Sequence, residues 1–255
     1  MKSNIGTDAA KLAGLQVDLL TKIRAGKITL ESLEKFVRGE LVDAGSDSTL
    51  DTKNIWGEAL QKAYNLLGLN KDYEVFRKEH PYSDKEGYWV IDMLKGLSCK
   101  GVIDALRKLK VAVNASDTLD QDVVENQRDP SKGSYTVAFK ATVEADEENK
   151  NQSANQRKEL YCQDITLLER LFLELEQNCQ DITLLERLFL ELVYFLTTGE
   201  HLDTKNYTLC TGSRGRDGGV PSVCFGAGDR AVFVDWFRPG SRFGRFRARS
   251  VVPVN

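Results

Sequence analysis

From Thr7 to Ala25, apolar residues recur at helical spacing (Ala10, Leu12, Leu15, Leu19, Leu20, Ile23), Thr7 and Asp8 suit the start of a helix, and Gly26 ends it. A second helix begins near Thr29, with Leu30, Leu33, Phe36 and Val37 on one face. This pair lacks a dense basic run and the turn pattern of a DNA-reading helix pair, so it reads as a hairpin that docks on the body or on another subunit. The polar segment from Leu41 to Asn54 reads as a linker or mobile loop. Ile55 to Leu67 and Lys71 to Glu79 predict two more helices, separated at Gly68 to Asn70, and Pro81 closes the region.

At Tyr88 the period changes. YWVIDML predicts a strand, Ser98 is placed to cap a helix carrying Val102, Ile103, Leu106 and Leu109, and Val111 to Asn114 predicts a second strand. The three together have the size of one right-handed crossover. The turn before the helix contains Gly but matches no phosphate-binding spacing, so it is read as structural. After a polar, acidic stretch from Ala115 to Lys132 and a turn at Arg128 to Gly133, Ser134 to Val143 alternates as a half-buried strand. The acidic run that follows, Glu144 to Asn151, reads as a solvated loop or helix start and lacks the ligand ladder of an EF-hand.

CQDITLLERLFLEL occurs twice, at Cys162 to Leu175 and at Cys179 to Leu192. Each copy has a capping box, Thr166 with Glu169 and Thr183 with Glu186, followed by an apolar stripe. At about 100° per residue, the offset between the copies turns the stripe by roughly 100°, so one continuous helix cannot offer both copies to one core. A break near Gln177 to Asp181 is expected. The second copy runs into VYFLTTGEHLD and is the better candidate for the domain's own helix; the first is read as the surplus of a recent duplication, natural or introduced, with a coiled-coil partner site as the alternative.

Beyond Tyr207, VPSVCF, AVFVDWF and RFRARSVV read as strands joined by Gly226 to Asp229 and by Pro239 to Ser241. Alternation suggests that Val220, Val223, Val232 and Val234 point inward, while Ser222, Cys224, Phe233 and Asp235 point outward.

Composition sharpens this picture at the same place. The chain has 255 residues, 41% hydrophobic and 29% charged, with net charge −3, enough for one large or two modest domains with a buried core. No apolar run approaches the roughly 20 residues that cross a bilayer, and the first residues lack the apolar core of a signal peptide, so a cytoplasmic location is expected. Five cysteines without CxxC spacing and two histidines indicate neither zinc nor a disulfide framework, so free thiols and no metal or cofactor are expected. From Tyr207 onward, however, eight Arg and three Asp are the only charged residues, and Lys, Glu, Gln, Met, His and Ile are missing altogether. Random replacement of the adenines in an asparagine codon reaches Phe, Tyr, Ser, Cys, Gly, Arg, Asp, Val, Ala, Pro and Thr, and never Lys, Glu, Gln, Met or Trp. The tail is built almost wholly from that set, with Trp236 as a fixed position.

On these residues the chain resembles the variable proteins of diversity-generating retroelements. Their C-terminal C-type-lectin-like (formylglycine-generating-enzyme-like) domain is diversified by adenine-directed mutagenesis. The motifs are LCTGSR at Leu209 to Arg214, DGGVPSV at Asp217 to Val223, VDWFRPG at Val234 to Gly240 and RARSVV at Arg247 to Val252. Gly133 to Phe139, Val143 to Asn151 and Ile182 to Asp203 resemble the fixed frame of one subgroup. The resemblance covers roughly the second half of the chain. It implies an α+β fold, with a helical N-terminal region (1–80), a small strand-helix-strand segment (81–130) and a lectin-like ligand-display domain (131–255). That last domain would have a small antiparallel sheet, flanking helices and the duplicated helix.

The expected binding surface comprises Gly215, Arg216, Gly219, Ser222, Cys224, Phe225, Phe233, Asp235, Phe237, Arg238, Arg242, Phe243, Arg245 and Phe246. It is rich in Phe and Arg, with Arg and aromatic side chains the usual anchors of protein interfaces. A protein ligand is the expected partner, with self-association through the N-terminal or duplicated helices as a further expectation. Two readings compete with it. The phenylalanines could be core and the arginines a solvated face; or SRFGRFRAR could stack on and neutralise single-stranded nucleic acid. Catalysis is not expected: GxSxG, HExxH and Walker patterns are missing, and His80 and His201 lie far apart in the chain.

Overall fold

The computed structural model describes residues 52–80, 87–162 and 180–254. The two helices expected before residue 40, most of the 41–54 linker and the first repeat copy beyond Cys162 lie outside the described residues, as does any association through them. Residues 51–255 form one unit of mixed α+β structure.

Its centre is the helix of the second repeat copy. Gln180–Asp181 is a short strand (β5), so the helix starts afresh after it. Thr183 accepts from the Glu186 amide while the Glu186 carboxylate accepts from the Thr183 amide at 2.8 Å, completing the expected capping box. The helix runs Leu184–Thr198 (α6) and ends at Gly199, whose left-handed backbone (φ 73°) suits a residue without Cβ. Leu184, Leu188, Phe189, Leu190, Leu192 and Val193 are all fully buried. A helix buried on every side belongs inside a core, and α6 takes its charged Glu186, Arg187 and Glu191 in with it.

Helix α1 (Thr52–Leu67) and helix α3 (Cys99–Lys108) pack on it. Between them, α2 (Asn70–Glu79) stacks Tyr73 on Tyr64 at 4.4 Å. Ser98 caps α3 through the Gly101 amide at 3.1 Å, as expected. A carboxylate from the short α4 (Leu119–Asp122) adds to this cap: Asp120 accepts from the Cys99 amide at 2.7 Å and the Lys100 amide at 3.0 Å. The anion thus sits at the positive end of the helix dipole.

Two main sheets flank these helices. In the first, β1 (Tyr88–Met93), β4 (Tyr135–Lys140), β11 (Ser250–Val254) and β5 lie in that spatial order, all antiparallel. The second has the order β10 (Phe246–Arg247), β6 (Tyr207–Leu209), β8 (Val220–Gly226), β9 (Ala231–Phe237) and β2 (Ala112–Asn114). Its outermost pairs are parallel and its inner ones antiparallel. A two-stranded ribbon joins β3 (Val123–Asn126) to β7 (Ser213–Gly215).

Three expectations change. The strand-helix-strand segment is no crossover unit, because β1 joins the first sheet and β2 the edge of the second. RFRARSVV forms two strands in different sheets, and between them Arg249 turns into the core. The acidic run is a structural tie more than a solvated loop. Around a short 3-10 turn at Glu147–Asn149, Asp146 accepts from the Ser250 amide at 2.7 Å, and Glu144 accepts from the Lys205 and Asn206 amides at 3.1 Å each.

Buried charges are balanced by buried partners. Fully buried Arg187 reaches Asp203 and Glu191, each at 2.9 Å. Asp203 also receives Arg249 and the Thr208 hydroxyl, and Glu191 meets His201 Nδ1 at 2.8 Å. Glu186 accepts from Arg128 at 2.7 Å and from the Tyr135 hydroxyl at 3.0 Å. Arg157, on α5 (Ala154–Cys162), pairs with Asp181.

Candidate ligand-binding face

The β8–β9 hairpin decides which side chains reach solvent. Cross-strand partners share a face, and the register pairs Val220 with Phe237, Ser222 with Asp235, Val223 with Val234, Cys224 with Phe233 and Phe225 with Val232. One face therefore carries Val223, Phe225, Val232, Val234 and Trp236, all packed in or against the main core. The other carries Val220, Ser222, Cys224, Phe233, Asp235 and Phe237, and Tyr207 and Leu209 of β6 extend it.

The expected rule of valines in and the rest out is thus corrected at two positions. Val220 lies on the outer face and Phe225 on the inner one, where its ring stacks on His201 with centroids 3.8 Å apart. Val220 is nonetheless buried, because this end of the outer face has its own small cluster of Ala154, Leu209, Val220 and Phe246, with Tyr207 and Phe237 against it.

That cluster is the floor of the candidate site. The 238–245 loop folds back over it, held by the Asn155 amide donating to the Pro239 carbonyl at 3.1 Å and by the Asn151 amide donating to the Phe246 carbonyl at 2.9 Å. Phe237, Phe243 and Phe246 meet edge to face, with centroids 4.6 to 5.9 Å apart, the arrangement that the ring quadrupole favours. Phe243 tops this stack at 53% exposed. Arg242 donates Nε to the Asn151 carbonyl at 3.0 Å, and Arg245 donates Nε to the Lys205 carbonyl at 3.1 Å while lying over the Tyr207 ring at 5.9 Å. Both guanidinium groups are held through Nε, and both residues are exposed. Arg238 borders a recess of about 120 Å³ with Asp217, Gly219, Trp236, Phe237 and Pro239.

Asp235, Arg238, Arg242, Phe243 and Arg245 are exposed as expected, and Phe233 and Phe237 are half-buried beside them, Phe237 against the small cluster. Other expected contacts are not outward. Ser222, Cys224 and Phe246 are buried, the first two in the sheet surface between larger neighbours and the third beneath Phe243. The Ser222 hydroxyl has no hydrogen-bond partner among the described residues. Gly215 and Gly219 are buried against Trp236: a Cβ on Gly215 would stand 2.8 Å from its ring. They seat the indole, and Gly219 also lines the recess beside Arg238. Arg216 is exposed on the β7–β8 turn, beside the Gln121 carbonyl. Burial pushes the Cys224 thiol up to about 11, with Asp235 adding to the shift, so it is a neutral thiol near pH 7. Sequence reasoning missed Tyr207, Asn151 and Asn155. Only Tyr207 left a signal, since it alternates with Leu209 around a buried Thr208.

Among the described residues no group of three or more His, Cys, Asp or Glu side chains is placed to hold a metal ion, and no helix is long and apolar enough to cross a membrane. Compared with family models, with curated proteins and with solved structures, the chain matches none.

Proposed function

We propose that this is a recognition protein whose 131–255 segment is a C-type-lectin-like display domain of the retroelement-diversified kind, binding a protein ligand on the outer face of β8–β9 and the 238–245 loop. One observation carries the reading: the residues of β8, β9 and the loop after them separate by depth. Those on the exposed side (Asp235, Arg238, Arg242, Phe243, Arg245) take no part in the core, while the inner side of the two strands carries Val223, Phe225, Val232, Val234 and Trp236, packed in or against the main core. The first sheet supports it too, since β11 lies antiparallel between β4 and β5, so β6, β8, β9 and β10 of the second sheet fall in sequence between two neighbouring strands of the first. A frame that holds side chains in place lowers the ordering cost of binding.

The reading is of binding without catalysis in the cytoplasm. The test lies in the neighbouring DNA. A reverse transcriptase gene and a near-copy of the last coding segment, differing where the copy has adenine, are expected. A neighbourhood with neither would contradict diversification.

A further inference from the structure

The chemistry of the ligand follows from a contrast among the arginines. Arg128, Arg157, Arg187, Arg247 and Arg249 each have a carboxylate within ion-pairing distance. Arg238, Arg242 and Arg245 make no ion pair with any described residue, although the chain as a whole is acidic. They ring an apolar patch topped by Phe243, and two of them are pre-oriented through Nε. A guanidinium whose Nε is already bonded can still accept a carboxylate end-on through its two Nη groups, in the bidentate fork that makes such pairs directional.

We propose that the ligand is an acidic segment of a protein, with a carboxylate side chain set beside an apolar or aromatic one: the carboxylates bond Arg242 and Arg245, and the apolar residue rests on Phe243 and Phe237. This rests on the display-face reading above. Nucleic acid shares the anionic chemistry, but three features favour protein. Base stacking needs open ring faces, whereas Phe237 and Phe246 turn their edges and faces to one another and Phe246 is 2% exposed. Asp235 stands exposed on the same face, where a backbone carrying a phosphate at every nucleotide is repelled, whereas a protein segment can set a neutral or basic residue there. Lys, the other usual phosphate partner, does not occur beyond Tyr207.

The test is selection of a phage-displayed random dodecapeptide library on the full-length protein, keeping clones that bind wild type and not F243D. Recovered peptides are expected to pair Asp or Glu with an aromatic or aliphatic residue. As synthetic peptides they should bind about tenfold more weakly to the R242A/R245A variant, and replacing their acidic residues by amides should weaken binding to wild type but not to that variant. Circular dichroism melts of F243D and R242A/R245A matching wild type keep the comparison clean; R242Q/R245Q replaces a double variant that melts early. Peptides that need Phe243 but are neutral or basic would overturn the acidic ligand and leave the display face standing. Failure to recover any Phe243-dependent peptide, or tighter binding of an oligothymidylate that fades steeply with salt, would overturn both.

Discussion

Two populations of charge divide this molecule. Around α6, arginines and carboxylates are buried and meet one another; on the outer side of β8–β9 and its loop, arginines are exposed and meet only backbone carbonyls, a tyrosine ring or nothing. Taking a charge out of water costs several kcal/mol, so the first group is tolerable only as a complete set. The second keeps its hydration, and altering one member leaves no orphan behind. Electrostatics thus separates arginines whose loss unpairs a buried charge from those whose loss does not, although the two kinds alternate within a few residues, as at Arg245 and Arg247.

The sharpest way to break the comparison is to open the buried set. Arg187→Ala removes the charge shared by Glu191 and Asp203, leaving the first with His201 and the second with Arg249 and the Thr208 hydroxyl, and is expected to cost about 3–5 kcal/mol of unfolding free energy in a denaturant titration. A loss below 1 kcal/mol would mean the network is not closed as described. Gly215→Ala comes next, because its Cβ would lie 2.8 Å from the Trp236 ring. A cost of about 1–3 kcal/mol is expected for such overpacking, with a change in tryptophan emission. Thr183→Ala removes the cap of α6 and should cost about 1 kcal/mol. The effect of pH is smaller and has a definite sign. Burial raises the Asp92 carboxyl above its usual range, so the folded state holds that proton longer than the unfolded chain does. The contribution is present below the ordinary carboxylate range and declines as pH rises from there through the raised folded value. Asp92→Asn should flatten that decline. Smallest of all, Arg242→Ala and Phe243→Ala should move stability by no more than about 0.5 kcal/mol, the usual range for surface sites.

The sequence made the helices and their ends legible because those signals are local. The Thr183 box, the Ser98 cap and the apolar stripe of α6 need only a few neighbouring residues to be recognised. It also identified the exposed cluster from Asp235 to Arg245, since turn chemistry and codon bias coincide there. It could not show that β1 and β2 enter different sheets, because β2 is three residues long and its partner β9 lies more than a hundred residues later. The burial of Ser222, Cys224 and Phe246 was hidden for a related reason. Alternation tells which face a side chain takes, whereas burial depends on what lies over that face: here Ala154, Leu209 and a loop anchored on Asn151 and Asn155. Nor could local pattern tell that Glu186 would find Arg128 and Tyr135, more than fifty residues earlier.

The central claim is that the display positions carry no part of the fold's stability. Its most direct measurement is to randomise Asp235, Arg238, Arg242, Phe243 and Arg245 together over the adenine-reachable residues and count the fraction of clones that unfold cooperatively near the wild-type midpoint. The same is then done at Val223, Val232 and Val234. Most clones of the first set should fold and almost none of the second; similar losses in the two sets would contradict the account.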